Sequence, residues 1–162
     1  MKNIFFIILL AVFVSCDSVD SAKKKNNTKN VKTDVELSDL LENEVKLEDY
    51  KGKKILVNYW ATWCGPCKKE MPDLLNAQEI LTKENYVFLL VSDESIAKIN
   101  KFKSSSKYKF NFLISKKSMS SIGVYALPTT FIYNEKGEKV EEIVGAKKWD
   151  SEAMITKLKN IK

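Results

Sequence analysis

The chain has 162 residues, 44% hydrophobic and 30% charged, which suits one ordinary globular domain behind a leader and leaves no room for a second catalytic domain. It contains no histidine, which excludes Cys-His and Ser-His nucleophile pairs, histidine zinc sites and histidine haem ligation. The formal charge of +6 is concentrated near the start: removing Lys2 and the surplus of three between Asp17 and Thr33 leaves +2 for residues 34–162, too little for a nucleic-acid footprint.

Lys2 precedes an unbroken apolar run from Ile4 to Val14, too short to span a bilayer but right for the apolar core of a secretory signal. Phe13-Val14-Ser15-Cys16 follows, resembling a bacterial lipobox, so Cys16 is expected to carry a lipid and become the mature N-terminus; a plain signal peptide with an incidental cysteine is the alternative. An exposed free thiol in an oxidising compartment is a liability that acylation removes. Residues 17–33 are mostly Ser, Asp, Lys, Asn and Thr, a composition that cannot bury enough surface to order itself. The expected organisation is therefore a leader at 1–15, a lipidated cysteine and flexible tether at 16–33, and a folded domain at 34–162, lipid-anchored on the outer side of a bacterial membrane.

Within the domain, Val35 to Leu47 is short and polar-interrupted, as in an N-terminal β-hairpin, and Tyr50-Lys51-Gly52-Lys53 turns into the next strand. Ile55 to Trp60 reads as a strand buried on both faces. Cys67, Met71, Leu74, Gln78 and Leu81 then recur at helical spacing, predicting a helix from about Pro66 to Lys83, with Pro72 as an internal kink. Tyr86–Ser92 is a second buried strand, Ile96–Phe102 a helix, Asn111–Ile114 a strand and Lys117–Ile122 a helical piece. Pro128–Tyr133 and Val140–Val144 flank Asn134-Glu135-Lys136-Gly137 as a hairpin, and Trp149–Ile161 is an amphipathic helix on Ala153, Met154, Ile155 and Leu158. This order predicts an α/β fold with a central mixed sheet flanked by helices and an N-terminal hairpin extension.

Of the three cysteines, Cys64 and Cys67 form a C-x-x-C at the join of a buried strand and a helix N-terminus. Unpaired N–H groups and the positive end of the helix dipole favour a thiolate at Cys64, making it the nucleophile; Cys67, one turn on, is placed to resolve the mixed disulfide. Pro66 fits the first helical turn and Gly65 admits a partner chain closely. Half a zinc site, or a purely structural disulfide, is the competing reading, but zinc needs four ligands and the chain offers no second C-x-x-C. No metal or cofactor is expected.

The run Leu56-Val57-Asn58-Tyr59-Trp60-Ala61-Thr62-Trp63-Cys64-Gly65-Pro66-Cys67-Lys68-Lys69-Glu70-Met71-Pro72, with Leu127-Pro128-Thr129-Thr130-Phe131 downstream, resembles the thioredoxin superfamily, and within it the membrane-tethered TlpA/ResA-like branch. The resemblance covers residues 34–162 and implies a thioredoxin-like fold. It also implies that Pro128 is cis and faces the disulfide, with Leu127 and Thr129 beside it binding substrate together with Trp63, Gly65 and Pro66. Asn58 stands where ordinary thioredoxin has a buried aspartate, and an amide cannot act as the base. The branch instead implicates a glutamate three residues after the second cysteine, which Glu70 matches. Read from spacing alone, Glu70 shares the helical side of Cys67, where partial burial would raise its pKa, or else it is a solvated surface glutamate.

These observations converge on a thiol–disulfide oxidoreductase, a monomer that reduces disulfides in extracytoplasmic proteins and is resupplied by a membrane thiol donor. Cytochrome c maturation is a special case that the resemblance suggests. A disulfide oxidase or isomerase on the same residues is the alternative, a non-catalytic binding module the more distant one, and peroxide reduction fits poorly.

Overall fold

The computed structural model describes residues 36–162. The expected leader, Cys16 and tether lie outside the described residues.

Among the described residues, seven strands form one mixed sheet in the order β2-β1-β5-β4-β3-β6-β7. Its centre is β3 (Lys54–Tyr59), parallel to β4 (Tyr86–Ser92), which is in turn parallel to β5 (Asn111–Ser115). On the other flank of β3, β6 (Thr129–Tyr133) and β7 (Lys139–Val144) run antiparallel as a hairpin. Short β1 (Leu37–Ser38) and β2 (Glu44–Val45) pair antiparallel, and β1 adds to β5.

β3 and β4 are apolar on both faces because both faces are covered. Leu56, Phe88 and Leu90 join a cluster with Met71, Leu74, Ala77 and Leu81 of α1 (Gly65–Leu81), Ile99 of α2 (Ile96–Ser105) and Ile155 and Leu158 of α3 (Glu152–Lys159). Ile55, Val57, Tyr59, Leu89 and Val91 point the other way, into a cluster with Leu37, Met119 and Val124. All three α-helices of the described residues thus feed one core, while short 3-10 turns at Leu47–Tyr50 and Ser120–Ile122 lie over the other.

Several expectations shift at the edges. The helical piece predicted over Lys117–Ile122 is helical only at Ser120–Ile122, in 3-10 form, where Gly123 in the left-handed region (φ 83°) closes the turn. Gln78 is only half-buried, and Ala77 takes its place in the core. The last helix starts at Glu152, capped by the Ser151 hydroxyl accepting from Met154 N–H, so Trp149 precedes it; Ala153, predicted on its apolar face, is exposed.

Candidate active site

β3 ends at Tyr59, and its chain leaves the sheet through Trp60, whose N–H still donates to the Val91 carbonyl at 3.0 Å. A turn closed by Cys64 N–H donating to the Ala61 carbonyl (3.1 Å) delivers Cys64 to the N-cap of α1. Pro66 falls in the first helical turn, where its missing N–H has no partner to lose.

Cys64 and Cys67 are joined as a disulfide, their Cα atoms 5.3 Å apart. The Cys67 N–H donates to Cys64 Sγ at 3.2 Å, so an orphan donor of the helix start points at the first sulfur. Cys64 is the more accessible residue, 4% exposed against 1% for Cys67, as attack followed by internal resolution requires. Around the pair, Trp63 is 71% exposed, Gly65, Pro66, Lys68 and Lys69 are also exposed, and Leu127 is half-buried.

The Leu127–Pro128 peptide bond is cis. Thr129, the first residue of β6, pairs with Tyr59, the last of β3, so Pro128 lies at the sheet end from which the cysteine loop departs. Thr129 is buried and its hydroxyl donates to the Ala126 carbonyl at 2.8 Å, while Gly145 N–H donates to the Pro128 carbonyl at 2.8 Å.

Glu70 is 2% exposed. Oε1 accepts from Asn58 Nδ2 at 2.8 Å, and Oε2 accepts from Lys147 N–H at 2.9 Å and Trp149 Nε1 at 2.7 Å. Asn58 also donates to Thr130 Oγ1, its partner across β3 and β6, at 2.9 Å. Loss of hydration pushes the Glu70 carboxyl above its ordinary range, and the three donors oppose that rise. A carboxyl group one helical turn from Cys67, with its proton affinity raised, can exchange a proton with a thiol.

Two contributors are not evident from sequence. Trp149 reads as the start of an amphipathic helix, yet its indole reaches Glu70. Glu94 accepts from both Thr62 N–H and the Thr62 hydroxyl, the latter at 2.9 Å, and so fixes the loop that precedes Cys64. Its position just past the C-terminal end of a parallel strand, where α/β sites gather, is the signal that could have found it. Among the described residues no group of His, Cys, Asp and Glu could hold a metal ion.

A C-x-x-C disulfide heading the helix that follows the central strand of a mixed sheet, with a cis-proline opening the neighbouring strand, defines the thioredoxin-like class of thiol–disulfide proteins. The chain belongs to the AhpC/TSA family, whose model matches residues 29–142. It is 36% identical over 113 residues to the thiol-disulfide oxidoreductase ResA of Bacillus thuringiensis, covering 67% of this chain and 65% of that relative, just under two thirds of its length. To the ResA of Geobacillus thermodenitrificans it is 31% identical over 149 residues, covering 89% of this chain and 85% of the relative. Among solved structures, the exposed lipoprotein thioredoxin Etrx1 of Streptococcus pneumoniae superposes with a TM-score of 0.63 at 28% identity, covering 78% of this chain and 98% of that one.

Proposed function

We propose that the chain is a thiol–disulfide oxidoreductase that reduces disulfides in proteins outside the cytoplasm. The observation that carries this reading is the Cys64–Cys67 disulfide across the first turn of α1, with the Cys67 N–H aimed at Cys64 Sγ.

In the reduced protein the Cys64 thiolate attacks a substrate disulfide and releases one substrate thiolate, leaving a Cys64–substrate mixed disulfide. Cys67 gives its proton to Glu70 and attacks Cys64 Sγ; the Cys64–Cys67 bond forms, and the second substrate sulfur leaves with the electron pair and takes up a proton. Two electrons pass to the substrate, and an external thiol donor, placed in the membrane on this reading, returns them. Trp63, Gly65 and Pro66 on one side, and Leu127, Pro128 and Thr129 on the other, would contact the substrate chain. C-G-P-C resembles thioredoxin itself, which stands at the reducing end of these proteins.

The lipobox-like Phe13–Cys16 run, together with the lipoprotein description of the pneumococcal relative, supports a lipid on Cys16 and an anchored, extracytoplasmic location. No helix among the described residues is long and apolar enough to cross a membrane. Cytochrome c maturation is one special case of this reading, suggested by the resemblance to the TlpA/ResA-like branch.

The reduction potential of the Cys64–Cys67 pair, measured on the soluble chain beginning after Cys16 against a dithiothreitol or glutathione series, tests the direction. A value near about −270 mV is expected; one near about −120 mV would replace the reductase with an oxidase. Cys64→Ser should abolish disulfide reduction and Cys67→Ser should accumulate the mixed disulfide. A binding module without catalysis would be indifferent to both.

A further inference from the structure

We infer that Trp149 is a positioning residue for the redox reaction: its indole N–H, delivered by a clasped loop, holds the buried Glu70 carboxylate in its ionised form and so sets the pH at which Cys67 resolves the mixed disulfide. The inference rests on the reading of Glu70 as the proton acceptor for Cys67.

The loop between β7 and α3 is built to make this delivery. It begins at Gly145, whose left-handed backbone (φ 81°) turns the chain away from the sheet and whose N–H is held by the Pro128 carbonyl. Its far end is fastened to α1. Lys148 Nζ bonds Asp73 Oδ1 at 2.6 Å and pairs with Asp150 Oδ1 at 3.0 Å, while Asn76 Nδ2 donates to Asp150 Oδ2 at 2.8 Å. Between these anchors the Lys147 N–H and the Trp149 Nε1–H both converge on Glu70 Oε2. Asn58 bonds the other oxygen, Oε1, so the donors come from two separate segments.

A buried indole usually finds an acceptor, so the contact by itself could be mere satisfaction of the tryptophan. The same core contains a counter-example, because Trp60 is fully buried and its Nε1 has no partner among the described residues. Trp149 Nε1 instead meets a carboxylate at 2.7 Å, and the short charge-assisted bond acts mainly on that carboxylate. Along α1, Cys67 is buried one turn before Glu70, and Asp73 stands one turn after it, where its negative charge raises the Glu70 pKa. The Lys147 side chain is exposed and Lys148 is occupied by its two aspartates, so among the described residues no cation neutralises the carboxylate directly. Its ionised form therefore depends on the three N–H donors.

The test uses the chain with Cys16→Ser, reduced and then mixed with Ellman's disulfide, whose thiolate is released once when Cys64 attacks and again when Cys67 resolves. The pH midpoint of the second phase is the readout. Removing the indole donor with Trp149→Phe should move that midpoint up by about one pH unit, the size expected for one charge-assisted bond. Benzothienylalanine at position 149, which keeps the ring shape and replaces N–H by sulfur, should give the same shift if the phenylalanine variant folds poorly. In a Glu70→Gln background neither change should move the midpoint. An unmoved midpoint in both Trp149 variants, with Glu70→Gln still altering the profile, overturns the role of Trp149 alone. A second phase whose pH profile ignores Glu70→Gln removes the Glu70 reading and this inference with it.

Discussion

A carboxyl group sealed from water costs the folded chain free energy whenever it is charged, and Glu70 carries that cost when ionised. Its folded-state pKa lies above the ordinary 4.5. Between those two values the native protein binds more protons than the unfolded chain, so stability falls as pH rises from about 4.5 and levels off above the folded pKa. Urea unfolding of the oxidised protein from about pH 4 to 8 should show this decline, and Glu70→Gln should remove its contribution from the curve. A variant that retains the full slope would assign the titration to another group. Part of this behaviour is legible in sequence: Glu70 lies three residues beyond Cys67, a spacing that suggests partial burial. The depth of burial is not, because two of the three donors belong to residues 147 and 149, and no local pattern links a helix to a loop 77 residues further along the chain.

At the level of elements, α1 joins chemistry to packing along one face. Cys67, Glu70, Met71, Leu74, Ala77 and Leu81 are all buried, the first two serving the site and the rest the core. Ala77 is fully buried where the helix meets the shared core, so Ala77→Leu should destabilise the protein by about 1–3 kcal/mol through overpacking. Denaturation with the disulfide intact measures this, and a neutral result would mean that the helix can shift to make room. The strands β3 and β4 are readable almost to the residue because strands covered on both faces are nearly continuous apolar runs. Where side-chain periodicity competes with capping, sequence reading drifts. The apolar pattern beginning at Trp149 reads as the start of α3, but the Ser151 cap sets the first helical residue at Glu152. Trp149 is thereby left outside the helix, its ring in the core and its N–H on Glu70.

Across the whole molecule, the sheet order places the site. With β3 central, parallel to β4 and antiparallel to β6, the cysteine loop, the β4–α2 junction and the Pro128 strand entry all meet at one end of the sheet. Charge is distributed unevenly: residues 96–117 hold seven lysines and no acidic residue, so the near-neutral sum for the domain conceals a basic segment along α2 and β5. The alternation of helix and strand patterns is enough to predict a mixed sheet. The convergence of Glu94 on Thr62 is not legible, since it joins two loops 32 positions apart. That clamp makes no use of either sulfur, so the loop before Cys64 has a tether that does not depend on the disulfide bond. Amide hydrogen exchange should report this directly: the Thr62 N–H should stay protected in both redox states and lose protection in Glu94→Ala. Protection that vanishes on reduction alone would show that the disulfide, not Glu94, holds the loop. With the clamp in place, the loop that carries Cys64 is already ordered, so on the proposed reading little ordering is left for an encounter with a substrate.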